Sequence, residues 1–457
     1  MGDITDILVE VVGADHVMTG YAISPDYTHD EALTAAPVVP LAVIRPGSTA
    51  EVAAVLRLAH EHRIPIVARG SGTGLSGASI PQSDSLLVSF ERMNRIIEID
   101  IDNNVAVVQP GVTLEQLDRA TAEHGLVYPV FPGENGASLG GNVATNAGGM
   151  RAIKYGVTRH QVLGLEAVLA GGEVIRTGGK FVKSSTGYDL TQLIIGSEGT
   201  LALVTEAILK LYPRPDHAAT ILAPFARLDE IATAVSRIVQ SGVGPRILEY
   251  IDSLTMASIT ANVGLDLGLP AEVRERGLAY LVVVLESIHE DRLNDDVSII
   301  GELLAELGAI DVYVLPPRAA SQLIEAREKA FFVAKAAGAS DIVDVVVPRA
   351  EVAHYLVEVA SLAEEHATLV VGCGHLGDGN VHLSVFQPDP ERRHQVLRAL
   401  LRAGLDLGGA ITGEHGVGTE KKQYFMELED PTKLDLMRRI KAAFDPQGIL
   451  GPGRIFD

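Results

Sequence analysis

Between Gly133 and Gly149 the chain reads GENGASLGGNVATNAGG, a tract with so few bulky side chains that it cannot hold a packed helix or a central strand on its own. A segment of this kind must lie against something else, so it limits the fold to one that brings bare backbone close to a neighbouring element or a ligand. Two further stretches share the property: ARGSGTGLSGAS at 68–79, and GHLGDGNVH at 374–382 followed by GEHGVG at 413–418. There is enough chain to build around them. At 457 residues, 47% of them hydrophobic, the sequence calls for two or more domains, each with its own core.

Composition narrows the partners. A net charge of −22 argues against nucleic acid and anionic membrane surfaces, which need clustered Lys and Arg facing phosphate. One cysteine excludes an intrachain disulfide framework and a cysteine-ligated iron–sulfur cluster, so redox chemistry would need an organic cofactor, a metal, or both. The start, MGDITDILVEVVG, lacks the basic and apolar regions of a signal peptide. The most apolar strings, such as YLVVVL at 280–285, fall far short of the roughly 20 residues of a membrane span. The expectation is a cytoplasmic enzyme with any membrane contact peripheral, at the inner face, and with a homodimer as the candidate assembly.

Strand and helix signals alternate from the start. VVPLAVI (38–44) reads as a strand, Ser48 with Glu51 as a capping box opening a helix to about His62, and IPIVA (64–68) as the next strand, a βαβ beginning. Thr113 and Gln116 form a second capping box, with Gly125 as the stop. Pro213 and Pro215 punctuate the chain, and strands are expected near 246–251, 279–286, 310–315, 342–347 and 369–373, interleaved with helices such as 351–366 and 434–444. The domain reading is 1–214, 215–420 and a docked tail at 421–457.

GHLGDGNVH and GEHGVG together offer His375, His382, Glu414 and His415. Two imidazoles and one carboxylate suit a divalent ion such as zinc or manganese and leave a position open, the pattern of a catalytic metal site, with His415 left over as a base. Gly374, Gly377 and Gly379 permit a tight turn that returns both imidazoles to one place. Cys373 is read as a small buried hydrophobe rather than a ligand.

Residues 72–77, GTGLSG, satisfy the GxGxxG pattern, yet ASIPQSDS and the strand-like LLVSF (86–90) follow, leaving no room for the helix a Rossmann turn requires. What remains is a nest of backbone N–H groups with Ser71, Thr73 and Ser76 hydroxyls and Arg69 at its edge, able to wrap a diphosphate. The order RGSGTGLSG, PGVTLEQL, GENGASLGGNVATNAGG and TGYDLTQLIIGSEGTLALVTEAILKL closely resembles the FAD-linked oxidase superfamily, with its vanillyl-alcohol oxidase type of FAD domain. GHLGDGNVH and GEHGVG resemble the branch of D-2-hydroxy-acid dehydrogenases that holds D-lactate dehydrogenase, D-2-hydroxyglutarate dehydrogenase and the glycolate oxidase catalytic subunit.

The resemblance implies an α+β protein: a vanillyl-alcohol oxidase type FAD-binding domain, an α+β substrate (cap) domain with a mainly antiparallel sheet, and a C-terminal helical tail. It implies noncovalent FAD held by Arg69, Gly70, Ser71, Gly72, Thr73, Gly74, Leu75, Ser76 and Gly77, and by Pro132, Gly133, Ser138, Leu139, Gly140, Gly141, Asn142, Thr145, Asn146 and Gly148. Glu198, Gly199 and Val204 complete that set, and Arg454 in the tail would approach the flavin. It further implies a metal on His375, His382 and Glu414, His415 as the base that takes the hydroxyl proton, Arg327 on the substrate carboxylate, and Asn380 orienting substrate or flavin.

Relatives acting on longer dicarboxylates tend to carry a Lys two residues before the Asp of a D-x-x-x-P segment. Here Ile342 and Val343 precede Asp344, and Phe331 and Phe332 follow Arg327. The implied substrate is therefore a monocarboxylate such as D-lactate or glycolate, with D-2-hydroxyglutarate as the alternative. The electron acceptor is a quinone, a cytochrome or an electron-transfer flavoprotein, with oxygen as the alternative. A metal-dependent hydrolase that uses the same His, His, Glu set to activate water is the reading from another class.

Overall fold

The structure, a computed structural model, describes residues 2–456. It divides into two compact units, each discontinuous: one runs up to Ala147, then Val157–Pro213 and from Glu414 onward, and the other takes Gly148–Gly156 and Arg214–Gly413. The return to the first unit thus comes at Glu414, seven residues before the start of the tail expected from sequence, and a short excursion at 148–156 leaves the first unit where continuity was expected.

In the first unit, Val17–Met18, Ala42–Ile44, Leu86–Ser89 and Ile66–Arg69 lie side by side in that order, the last three parallel. The βαβ start is present, but Leu86–Ser89 sits between its two strands. The helix Thr49–His62 begins where Ser48 Oγ accepts the Glu51 N–H (3.2 Å) and Glu51 accepts the Gly47 N–H (2.8 Å), and it buries Val52, Val55, Leu56 and Ala59. The tail returns to this sheet, with the Ile66 N–H donating to Ile449 O (2.7 Å). A second, antiparallel sheet is ordered Ile96–Asp100, Val105–Val108, Leu203–Lys210, Val162–Val168, Val174–Gly178.

The glycine tract does form a helix, contrary to the sequence expectation. Leu139–Thr145 is capped by Ser138, and its small residues let its backbone seat on Pro110, against which a Cβ at Gly140 would collide. Leu139 and Val143 bury their side chains in the core beneath. No helix opens after Gly77; the chain passes through turns to Leu86–Ser89, as the sequence requires.

The second unit is one seven-stranded antiparallel sheet, ordered Tyr313–Val314, His217–Phe225, Ala279–Ser287, Ile247–Asp252, Leu369–His375, Asn380–Phe386, Asp341–Val346. The strand His217–Phe225 is absent from the sequence reading because HAATILAPF is rich in Ala and carries a Pro, both poor strand formers. Helices such as Leu228–Gln240 and Pro317–Glu328 flank the sheet. Among the described residues, no helix is long and apolar enough to cross a membrane.

Leu369–His375 and Asn380–Phe386 form a hairpin whose turn depends on Gly379, at φ 87° and close against Val347 O. A side chain there meets both a left-handed backbone and a carbonyl. Gly379→Ala is expected to lower stability by about 2 kcal/mol, read from denaturant midpoints; an unchanged midpoint would show that the turn relaxes freely.

Candidate functional site

In the first unit the glycine loop leaves the strand Ile66–Arg69 and meets the capped end of the glycine-tract helix. The Ser71 N–H donates to Ser138 Oγ (3.3 Å), and Ser71 Oγ donates to Gly136 O (2.7 Å). A cavity of about 440 Å³ opens there, with Arg69, Gly70, Ser71, Thr113 and Ser138 on its wall. The buried Arg69 donates to His29 O (2.6 Å), and a Cβ on Gly72 would strike its guanidinium, so that group lies over the loop. Ser76 Oγ and Asn142 Nδ2 are buried without a hydrogen-bond partner. Bare backbone and a cationic edge on the cavity wall fit a dinucleotide's phosphates, whereas Ser76 and Asn142 do not line that cavity.

The other residues implied for FAD fall into distinct places. Gly133 opens into space at φ 93°, and Thr145 Oγ1 donates to Gly141 O within its own helix (3.1 Å). Asn146 ends that helix at φ 53° and accepts the Arg159 N–H (2.9 Å). Val204 lies in the apolar core, where its side chain serves packing rather than a cofactor, and Gly148 belongs to the second unit.

The buried Glu198 carboxylate accepts the N–H groups of Val417 (2.8 Å) and Gly418 (2.7 Å), so it clamps the GEHGVG backbone. Burial pushes its pKa up, against those two hydrogen bonds. Arg454 donates to Ala78 O (3.1 Å), Pro452 O (2.7 Å) and Ile80 O, which makes it a tie for the glycine loop. The same loop carries Ser76 O, which accepts the N–H groups of Thr419 (3.0 Å) and Glu420 (3.1 Å).

In the second unit the hairpin places His375 and His382 with ring centroids 4.8 Å apart. Neither imidazole stands alone. His375 Nδ1 is held by Glu249 Oε1, and His382 Nδ1 lies 3.5 Å from Asp344 Oδ1. Both carboxylates are fully buried. Antiparallel register explains the arrangement: Asp344 stands directly opposite His382, and Ile251 opposite Cys373 on the strand that carries Glu249. Alternation then puts Glu249, His375, His382 and Asp344 on one face of four adjacent strands. Glu249 bonded to His375 Nδ1, and Asp344 facing His382 Nδ1 at 3.5 Å, leave Nε2 of each ring as the nitrogen available to a metal.

Glu249 also reaches Arg327, Oε2 to Nε at 2.8 Å, and Arg327 is buried. Burial raises the Glu249 pKa, but the charges of His375 and Arg327 outweigh it and hold the carboxyl below its ordinary range. Asn380 does not project as an orienting group: its amide donates to Asp344 Oδ1 (2.9 Å) and Val345 O (3.0 Å). Asp344 further accepts Thr412 Oγ1 (2.7 Å) and the Gly413 N–H (3.0 Å). Glu414 and His415, the next two residues, open the last segment of the first unit. They are thus held on one side by Asp344 through Gly413 and on the other by Glu198 through Val417.

Sequence reasoning missed Glu249, the role of Asp344, and the Glu198 clamp. The signal for the first lay in ILEYID, where Glu249 interrupts an apolar run that ends at Asp252. Beside Arg327, burial raises Glu328 to about 7, partly opposed by Arg151. A carboxyl raised on folding is penalised above its folded pKa and relieved as pH falls toward its unfolded value. Glu328→Gln is therefore expected to stabilise the protein at pH 8 by about 1–2 kcal/mol, after allowance for partial solvent screening, and not at pH 5; equal gains at both pH values would contradict this.

Residues 40–178 match the FAD binding domain family, and residues 214–455 match the family of FAD linked oxidases, C-terminal domain. An uncharacterised FAD-linked oxidoreductase of Mycobacterium tuberculosis is 56% identical over 100% of this chain and 99% of its own length. Glycolate oxidase subunit GlcD of Bacillus subtilis is 38% identical over 99% of this chain and 97% of its own. D-lactate dehydrogenase of Archaeoglobus fulgidus is 37% identical over 90% of each. The fold is that of p-cresol methylhydroxylase, with a TM-score of 0.80 at 21% identity, covering 100% of this chain and 97% of that one. With family matches over both halves and full-length relatives above 30% identity, the chain belongs to the FAD-linked oxidase family, as an FAD-binding domain followed by the family's C-terminal domain.

Proposed function

We propose that this protein oxidises a D-2-hydroxy monocarboxylate, D-lactate or glycolate, to the 2-oxo acid, using FAD and a divalent cation such as zinc or manganese. The observation that carries the reading is the pair of adjacent histidines whose Nδ1 atoms each face a buried carboxylate, His375 bonded to Glu249 and His382 3.5 Å from Asp344. That geometry is costly for packing alone, because two acids and two imidazoles in a sheet interior must be desolvated. Relatives named D-lactate dehydrogenase and glycolate oxidase subunit support the substrate class.

His375 and His382 would present Nε2 to the cation, and Glu414, one peptide bond beyond the Gly413 that Asp344 holds, would supply the carboxylate. When bound, the cation would supply Lewis acidity toward the substrate hydroxyl and FAD would supply the two-electron acceptor for the α-hydrogen. Arg327 receives the substrate carboxylate through the terminal nitrogens of its fork, with Glu249 as the counter-charge beside its Nε. His415 takes the hydroxyl proton. Asn380 and Thr412 fix Asp344 and so the His382 ring. Ile342 shares the sheet face of Asp344 two residues along the strand, an alkyl group where a second substrate carboxylate would need a cation. Electrons then pass to a quinone, a cytochrome or an electron-transfer flavoprotein rather than to oxygen.

Anaerobic mixing tests this. D-lactate or glycolate should bleach the flavin band, D-2-hydroxyglutarate should do so more slowly, and chelation should abolish the response. Faster bleaching by D-2-hydroxyglutarate would overturn the substrate reading; a protein that refuses FAD would overturn the reading as a whole. His415→Asn should slow flavin reduction by about 10²–10⁴-fold while leaving FAD content unchanged. A reduction rate within threefold of wild type would remove His415 as the base.

A further inference from the structure

The proposed function treats the cation site and the site for the substrate carboxylate as separate parts. The structure joins them through one residue. Glu249 is completely buried in the middle of the sheet, on the strand Ile247–Asp252, which pairs on one side with Ala279–Ser287 and on the other with Leu369–His375. Its two oxygens are divided between two partners: Oε1 bonds His375 Nδ1, and Oε2 forms an ion pair with Arg327, 2.8 Å from Nε. The partners come from different elements, a strand end and the last turn of the helix Pro317–Glu328.

We propose that Glu249 is a positioning residue that couples cation binding to substrate-carboxylate binding, by holding the imidazole ligand His375 and the anion receptor Arg327 with a single carboxylate. This deepens the proposed function and rests on it. Three chemical facts lead there. A metal-ligating imidazole must carry its proton on the other nitrogen, so His375 needs an acceptor at Nδ1. A guanidinium that receives a carboxylate with its terminal nitrogens needs its Nε–H satisfied from behind, or the fork swings. Only a carboxylate offers two acceptor oxygens from one side chain, and only an ionised one balances buried positive charge on both sides. The other carboxylate, Asp344, faces His382 and is bonded by Asn380, Thr412 and Gly413.

An amide at 249 would keep one acceptor and turn an N–H₂ toward the other partner. His375 and Arg327 would then compete for the single oxygen, and removing Arg327 would release that oxygen to His375. This distinguishes coupling from a merely structural role, which predicts that a second substitution makes matters worse.

The test uses the FAD-loaded full chain as wild type, Glu249→Gln, Arg327→Met and the double variant. Zinc affinity is measured by chelator competition, and pyruvate affinity by its perturbation of the oxidised flavin spectrum in zinc-free protein. Glu249→Gln is expected to weaken zinc by about tenfold or more and pyruvate by about tenfold. Arg327→Met should weaken pyruvate without weakening zinc. The double variant, which also removes the uncompensated buried charge and so guards against a fold defect, should regain zinc affinity to within about threefold of wild type. Zinc binding by Glu249→Gln equal to wild type, or a double variant no better than Glu249→Gln, overturns the coupling while leaving the proposed function standing. Wild-type protein that takes up no zinc or manganese overturns both.

Discussion

Two buried carboxylates, each facing the inner nitrogen of a histidine, are the constraint on which the second unit depends. Glu249 and Asp344 stand on strands that flank the His375–His382 hairpin, and fully desolvated acids in a sheet are tolerated only when paired. Removing one partner of such a pair costs about 3–5 kcal/mol, whereas well-packed apolar side chains in their place would cost nothing. A sheet built only for stability would therefore have used valine there, as the neighbouring positions do. What the acids contribute is ring orientation, and orientation of Nε2 is what a cation requires.

The same logic reappears in the first unit, with backbone in place of side chains. Glycines bring the loop after Arg69 against Ser138, and Glu198 fixes the backbone of Val417 and Gly418 with both oxygens. Within the first unit, the segment that carries Glu414 and His415 is thus anchored at Val417 and Gly418. Preorganisation of this kind limits the reorganisation needed when charge moves during reaction.

Much of this was legible before any coordinates. The capping boxes at Ser48 and Thr113 mark true helix starts because their chemistry is local, and the absence of room for a helix after Gly77 rejected a Rossmann turn despite a perfect pattern. His375 and His382 were legible as a pair because the glycines between them force a hairpin. Glu249 was not, since its partners lie 126 and 78 residues away in sequence (375 − 249 and 327 − 249) and only strand order brings them together. The hydrogen bonds of Asn380, Glu198 and Arg454 to backbone or a buried acid were not legible either, since their partners are distant in sequence. The Leu139–Thr145 helix was missed because tertiary packing on Pro110 overrides the poor helix propensity of glycine.

The central claim is that the hairpin histidines hold a divalent cation. Anomalous diffraction from crystals of the FAD-bound protein, collected on either side of the zinc and manganese edges, tests it most directly. The account predicts one peak within bonding distance of Nε2 of both His375 and His382. No peak there, in protein whose flavin is still bleached by D-lactate or glycolate after chelation, would contradict it.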